Sequence, residues 1–136
     1  MCIDYRRLNQ QTVKDNYNLP RIDEIFVALH DKKHFISMDL LMGYHQVKVR
    51  EADRGKTAFA THMGLFQFNL MPFGLCNARG TFQRMMDSIL CEDINKDVVV
   101  YLDDVLTYGD TLDSTLTSWE KHLIKISNAD LKFKPR

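Results

Sequence analysis

Apolar residues along the chain fall into short runs with either helical or strand spacing. Ile22, Ile25, Phe26 and Leu29 recur at helical spacing after Pro20, a residue suited to a helix's first turn, and predict an amphipathic helix. Phe82, Met85, Met86, Ile89 and Leu90 fall at i, i+3, i+4, i+7 and i+8 and predict a second, beginning shortly after Pro72-Phe73-Gly74. Leu112, Leu116, Trp119, Leu123 and Ile126 predict a third with a narrow apolar seam. Strand-like runs lie between them. His34 to Leu40 is short, apolar and bounded by polar residues. Thr57 to His62 and Leu65 to Leu70 flank Met63-Gly64 and predict a hairpin. Val98 to Tyr101 and Val105 to Tyr108 predict another, with Leu102, Asp103 and Asp104 at its turn. Leu131 to Lys134 alternates and predicts a last strand ending near Pro135. Helices mixed with antiparallel strands, and no internal repeat, give one α+β domain.

Composition narrows the class. With 45% hydrophobic and 26% charged residues the chain reads as globular. No run reaches the ~20 apolar residues of a membrane helix, and the N-terminus has no signal-peptide core, so an intracellular protein is expected. Cys2, Cys76 and Cys91 are odd in number and widely spaced, with no C-x-x-C pair, so they give no disulfide framework and no zinc site; buried or half-buried thiols are expected. Net charge is zero but unevenly spread: residues 84–120 hold nine acidic and two basic side chains, leaving +7 on the remainder. That pattern suits a cation site flanked by surfaces for a polyanion, and equally a set of solvated acidic turns.

The residues that carry chemistry are Asp103-Asp104. Adjacent carboxylates at the ends of apolar strands repel each other unless a cation neutralises them. Asp39 ends another apolar strand and meets them if the strands are neighbours. Clustered carboxylates with oxygen-only donors select Mg²⁺ or Mn²⁺, and a pair of such ions clamps the oxygens of phosphoryl transfer. On local chemistry alone, a solvated Asp-Asp turn is the slightly stronger reading.

A series of motifs changes that balance. Tyr101-Leu102-Asp103-Asp104 resembles the Y-x-D-D motif of reverse transcriptases. Asp4 to Asn9, Tyr17 to Asp23, Phe35 to Leu40 with Gly43-Tyr44-His45-Gln46, Lys56 to Phe59, and Met71 to Leu75 with Asn77-Ala78 and Thr81-Phe82-Gln83 resemble successive blocks of the gypsy class of long-terminal-repeat retrotransposons. They occur in order over the whole chain.

The resemblance implies reverse-transcriptase fingers and palm. Residues 1–33 and 49–71 would be fingers-like. Residues 34–48 and 72–136 would be palm-like, with a ferredoxin-like antiparallel sheet backed by helices. It implies an RNA-directed DNA polymerase using two Mg²⁺ or Mn²⁺ ions held by Asp39, Asp103 and Asp104. Tyr44 would gate the incoming sugar, and Phe73 and Gly74 would pack by the nucleotide. Gln83, Arg79 and Tyr101 would face template or primer, Gln83 equally reading as an exposed polar helix residue. His45 reads as an ordinary polar residue. Arg6, Arg7, Lys14, Arg21, Lys48, Arg50 and Lys56 would be phosphate contacts or plain surface charges. Implied partners are a primed RNA or DNA template, dNTP and the rest of a Pol polyprotein. A triphosphate-gripping Arg, a pyrophosphate-protonating Lys, thumb, connection and RNase H have no counterpart, so a fragment is expected. The alternative is an inactive remnant serving as a folded binding or structural module. The chain departs from the family at Leu41-Met42, at Arg79-Gly80, and at Asp130, where the family's Gly serves a positive φ or a helix end.

Overall fold

A computed structural model describes residues 3–134; Cys2 and Pro135 lie outside them. Two short helices, α1 (Arg6–Gln11) and α2 (Ile22–Leu29), precede strand β1 (His34–Asp39). A 3-10 turn at Gly43–Gln46 and a short α3 (Glu51–Arg54) lead to the hairpin β2 (Phe59–Thr61) and β3 (Gly64–Phe66). Helix α4 (Ala78–Ile89), strands β4 (Val98–Tyr101) and β5 (Asp104–Gly109) and helix α5 (Leu112–Asn128) complete the chain.

The principal sheet is antiparallel in the order β1-β5-β4, and β2 and β3 form a separate two-stranded sheet. Strand period two divides the principal sheet into two faces. Met38 opposes Val105, Val105 opposes Val100, and Thr107 opposes Val98. All are buried, and Met38, Val98, Val100 and Val105 pack with Phe82 and Met86 of α4, Leu90 just beyond it and Ile126 of α5. The other face carries Ser37 and Asp39 of β1, Tyr101 of β4 and Asp104 of β5, all exposed.

Several expected elements shift. The β2–β3 turn is His62-Met63, one residue earlier than expected; Gly64 already belongs to β3, at a φ of 131° that its missing Cβ allows. In the β4–β5 hairpin Leu102 takes the left-handed position (φ 57°), Asp103 follows it in the turn, and Asp104 already pairs with Tyr101. Leu131–Lys134 is not a strand: the bridge from Leu40 to Phe133 stands alone, flanked by hydrogen bonds from Leu41 N–H to Lys132 C=O and from Lys134 N–H to Asp39 C=O. The apolar stripe of α2 is only partly covered: Ile25 and Leu29 are half-buried, while Ile22 and Phe26 are about two-thirds exposed. Cys76 and Cys91 are exposed, not buried as expected. Asp130 adopts φ 59°, the left-handed conformation that a Gly would take more easily. No described helix is long and apolar enough to cross a membrane.

Candidate active site

The register of β1 against β5 places Asp39 directly opposite Asp104. Leu40 N–H donates to Asp103 C=O at 3.1 Å, tying the β4–β5 turn to the end of β1. The backbone therefore brings Asp39 to the end of the sheet that carries Asp103 and Asp104. Asp104 is exposed by area, yet its carboxyl is pushed above its usual range by partial desolvation, then by the charges of Asp103 and Asp39. Lys134 Nζ approaches Asp39 at 3.4 Å with both groups largely exposed; among the described residues Asp103 and Asp104 have no ion-pair partner. Like charges opposite one another on a sheet are unfavourable, so a cation is the natural complement. The side chains are splayed: among the described residues, the set of three ligand-type side chains with donor atoms within 4.8 Å of one another is Asp93, Asp97 and His122, away from this trio.

Gly43 explains how the neighbouring 3-10 turn comes so close. A Cβ there would lie 3.1 Å from Asp103 Cβ and 3.1 Å from Phe82 Cζ. Tyr44 follows and is half-buried, edge-on to Phe73 (5.2 Å between centroids) and Phe82 (5.5 Å). Burial raises its phenol pKa, Arg79 beside the hydroxyl opposes the rise, and Asp103 adds to it. His45 is not a free polar residue. Its ring stacks on Phe68 at 6.4 Å and meets Phe73 edge-on at 5.0 Å, joining the segment after β3 to the Phe73-Gly74 turn.

Phe73 is more than half exposed, and Gly74 takes φ 93°. Asn9 fixes that turn, donating from Nδ2 to Gly74 C=O at 2.7 Å and accepting from Cys76 N–H at 2.9 Å. Arg79 and Tyr101 are exposed beside the site. Gly80 lies inside a helix that begins at Ala78, and a Cβ there would crowd Tyr17 Cβ at 3.1 Å.

Gln83 corrects the expectation most sharply. It is fully buried, so it neither faces a template nor lies on the surface. Its Oε1 accepts from Leu102 N–H at 2.8 Å, and its Nε2 donates to Val100 C=O at 3.1 Å and to Asp87 at 2.9 Å. The amide thus clamps the end of β4 as it enters the turn that carries Asp103. Among the expected phosphate contacts, Arg6, Arg21, Arg50 and Lys56 each pair with an Asp within three residues, at Asp4, Asp23 and Asp53. Sequence reasoning missed Gly43, Asn9, the clamp at Gln83 and Lys134. The first three lie inside the motif blocks, which marked the segments without revealing what the side chains touch.

Comparisons with known proteins bear on the family and the fold. The chain matches the family described as reverse transcriptase (RNA-dependent DNA polymerase) over residues 1–136. It is 42% identical over 132 residues to the retrovirus-related Pol polyprotein from transposon 297 of Drosophila melanogaster, covering 97% of this chain and 12% of that one. It is 45% identical over 108 residues to an RNA-directed DNA polymerase homolog of Oenothera berteroana, covering 79% of this chain and 76% of that one. The foamy viral protease-reverse transcriptase, solved in complex with an RNA/DNA hybrid, superposes with a TM-score of 0.81 at 21% identity, over 90% of this chain and 16% of that one. The chain therefore spans about an eighth of the 297 polyprotein, and its α+β architecture is that of reverse-transcriptase fingers and palm. From an ordered motif series, a matching fold and a profile that spans every residue, the chain belongs to the reverse transcriptase family.

Proposed function

We propose that this chain carries the nucleotidyl-transfer centre of an RNA-directed DNA polymerase, joining a dNTP to a primer 3′-hydroxyl. The observation that carries this reading is the strand register that sets Asp39 opposite Asp104, with Asp103 in the adjoining turn. The site suits two Mg²⁺ or Mn²⁺ ions: its donors are all carboxylate oxygens, and partial desolvation, followed by the charges of Asp103 and Asp39, pushes Asp104's carboxyl up. Asp39, Asp103 and Asp104 would hold the ions. When bound, such ions lower the pKa of the attacking hydroxyl and stabilise charge on departing pyrophosphate.

The protein's own groups would position the reactants. Tyr44, braced by Phe73 and Phe82, would form the floor under the incoming sugar and exclude a 2′-hydroxyl by bulk. Phe73 and the Gly74 turn, anchored by Asn9, would back the nucleotide. Exposed Arg79 and Tyr101 would meet phosphate and primer. In this reading residues 1–33 and 49–71 act as fingers and residues 34–48 and 72–136 as palm. A primed RNA or DNA template lies across the open sheet face, and the rest of a Pol polyprotein supplies what grips the duplex.

The test pairs Mn²⁺ binding, followed by paramagnetic broadening of NMR signals, with primer extension on an RNA template. Broadening should centre on Asp39, Asp103 and Asp104. Asp103→Asn should lose it and lose any extension. Unchanged broadening and extension in Asp103→Asn would overturn the assignment.

A further inference from the structure

A second group of ligand-type side chains lies away from the catalytic carboxylates. Asp104 and Thr107 are three residues apart on β5, so their side chains leave opposite faces of the sheet. On the Thr107 side, α5 brings His122 against Asp93 and Asp97, which lie in the segment between α4 and β4. His122 is fully buried and Asp93 is 2% exposed. His122 Nε2 lies 3.3 Å from Asp97 Oδ1 and 3.9 Å from Asp93 Oδ2. Among the described residues, neither His122 Nε2 nor Asp97 Oδ1 has a hydrogen-bond partner, although both are buried. The other ring nitrogen is fixed, with Nδ1 2.9 Å from Thr107 Oγ1.

We propose that Asp93, Asp97 and His122 form a second divalent-metal site, selective for a Zn²⁺-class ion and distinct in place and chemistry from the catalytic carboxylates. The donor atoms of the three residues lie within 4.8 Å of one another. Ligands about 2.0–2.2 Å from a tetrahedral Zn²⁺ sit roughly 3.3–3.6 Å apart, a spacing bracketed by the two His122 distances. An imidazole nitrogen among the donors favours Zn²⁺ over Mg²⁺, whereas oxygen-only donors at Asp39, Asp103 and Asp104 favour Mg²⁺. Thr107 plays the part that outer hydrogen bonds play at zinc histidines: it fixes the ring and leaves Nε2 aimed at the carboxylates.

Charge balance fits as well. Without metal, Asp93 is held by Lys121 and by Lys125, the latter at 2.8 Å and also reaching Glu92 at 2.9 Å. Both lysine stems reach solvent, so either ammonium swings out when a cation takes its place. Asp93 and Asp97 would then balance one divalent ion, which takes the place of the lysines that now pair with Asp93. Asp97, with its side chain 26% exposed, offers the way in, and Ser118 holds its other oxygen at 2.6 Å. An ion there would staple α5 to the segment between α4 and β4, behind the strand that presents Asp104.

The experiment titrates the 136-residue chain with Zn²⁺ while following the five histidines by ¹⁵N NMR, and with Co²⁺ while following visible absorption. One equivalent should shift His122 Nε2 more than Nδ1 and give the intense bands of a tetrahedral cobalt site. The affinity read from the bands should be unchanged in Asp103→Asn, at least tenfold weaker in Asp97→Asn, and about 10–100-fold weaker in Thr107→Val, which removes only the orienting hydroxyl. An unmoved His122 signal in the unaltered chain overturns the proposal and leaves a plain His–Asp contact, and it does not depend on any variant folding. Bands lost in Asp103→Asn but kept in Asp97→Asn overturn it too, placing the ion at the catalytic carboxylates.

Discussion

Replacing Gln83 by Leu tests whether a buried amide holds the aspartate-bearing turn. The substitution keeps a fully enclosed side chain of similar volume and deletes three hydrogen bonds, those to Leu102 N–H, Val100 C=O and Asp87. Asp87 retains Tyr17, whose hydroxyl donates to it at 2.6 Å. Leu102 N–H has no such alternative and sits in a part-buried turn at φ 57°. Two neutral bonds at about 1 kcal/mol each and one to a carboxylate at about 2 kcal/mol are lost. The more favourable burial of a leucine offsets roughly 1–2 kcal/mol of that. A net destabilisation of about 2–3 kcal/mol is expected, or a melting point lower by roughly 6–12 °C at this chain length. Urea unfolding followed by circular dichroism reads the stability, and hydrogen exchange at the Leu102 amide reads the turn directly. Gln83→Glu separates the contributions: it keeps an acceptor for Leu102 but sets a second carboxylate against Asp87, so its loss should shrink as pH falls. A Gln83→Leu protein within about 0.5 kcal/mol of the parent, with unchanged Leu102 exchange, would refute the clamp.

Further outcomes follow from the same geometry. Asp104's folded pKa is raised above its ordinary 3.8, so its contribution to stability is present below that value and lost as pH climbs through the raised one. Urea midpoints should therefore fall across that window, recover with Mg²⁺, and flatten in Asp104→Asn. His122 has the opposite sign. Its folded pKa lies below 6.5, so stability is whole above 6.5 and declines as pH drops through the depressed value. His122→Gln should remove that slope, in a pocket whose charged neighbours are Asp93, Asp97, Lys121 and Lys125. Gly43→Ala brings a methyl to 3.1 Å from both Asp103 and Phe82; it should cost about 1–3 kcal/mol in urea unfolding and broaden the Asp103 resonances. Asp103→Asn should abolish Mn²⁺ broadening and primer extension, as set out above.

The sequence alone determined the helices α2, α4 and α5 and the strands β1, β4 and β5 at close to their observed bounds, because each is a local period of apolar residues. It also determined the family and the identity of the candidate carboxylates, because ordered motifs are local strings. Tertiary structure decided everything that depends on contact between distant segments. It turned Gln83 inward, because α4 packs that flank against the β4–β5 hairpin; helical spacing distinguishes faces but not what covers them. It left the α2 stripe partly open, since an apolar stripe is buried only where a partner element lies over it. It reduced the expected last strand to a single bridge, because Phe133 and its neighbours find only the end of β1 to pair with. The meeting of Asp39 with Asp104, the close approach that Gly43 permits, and the gathering of His122 with Asp93 and Asp97 all follow from strand register and helix docking. Burial of many side chains together settles those, and no one segment encodes them.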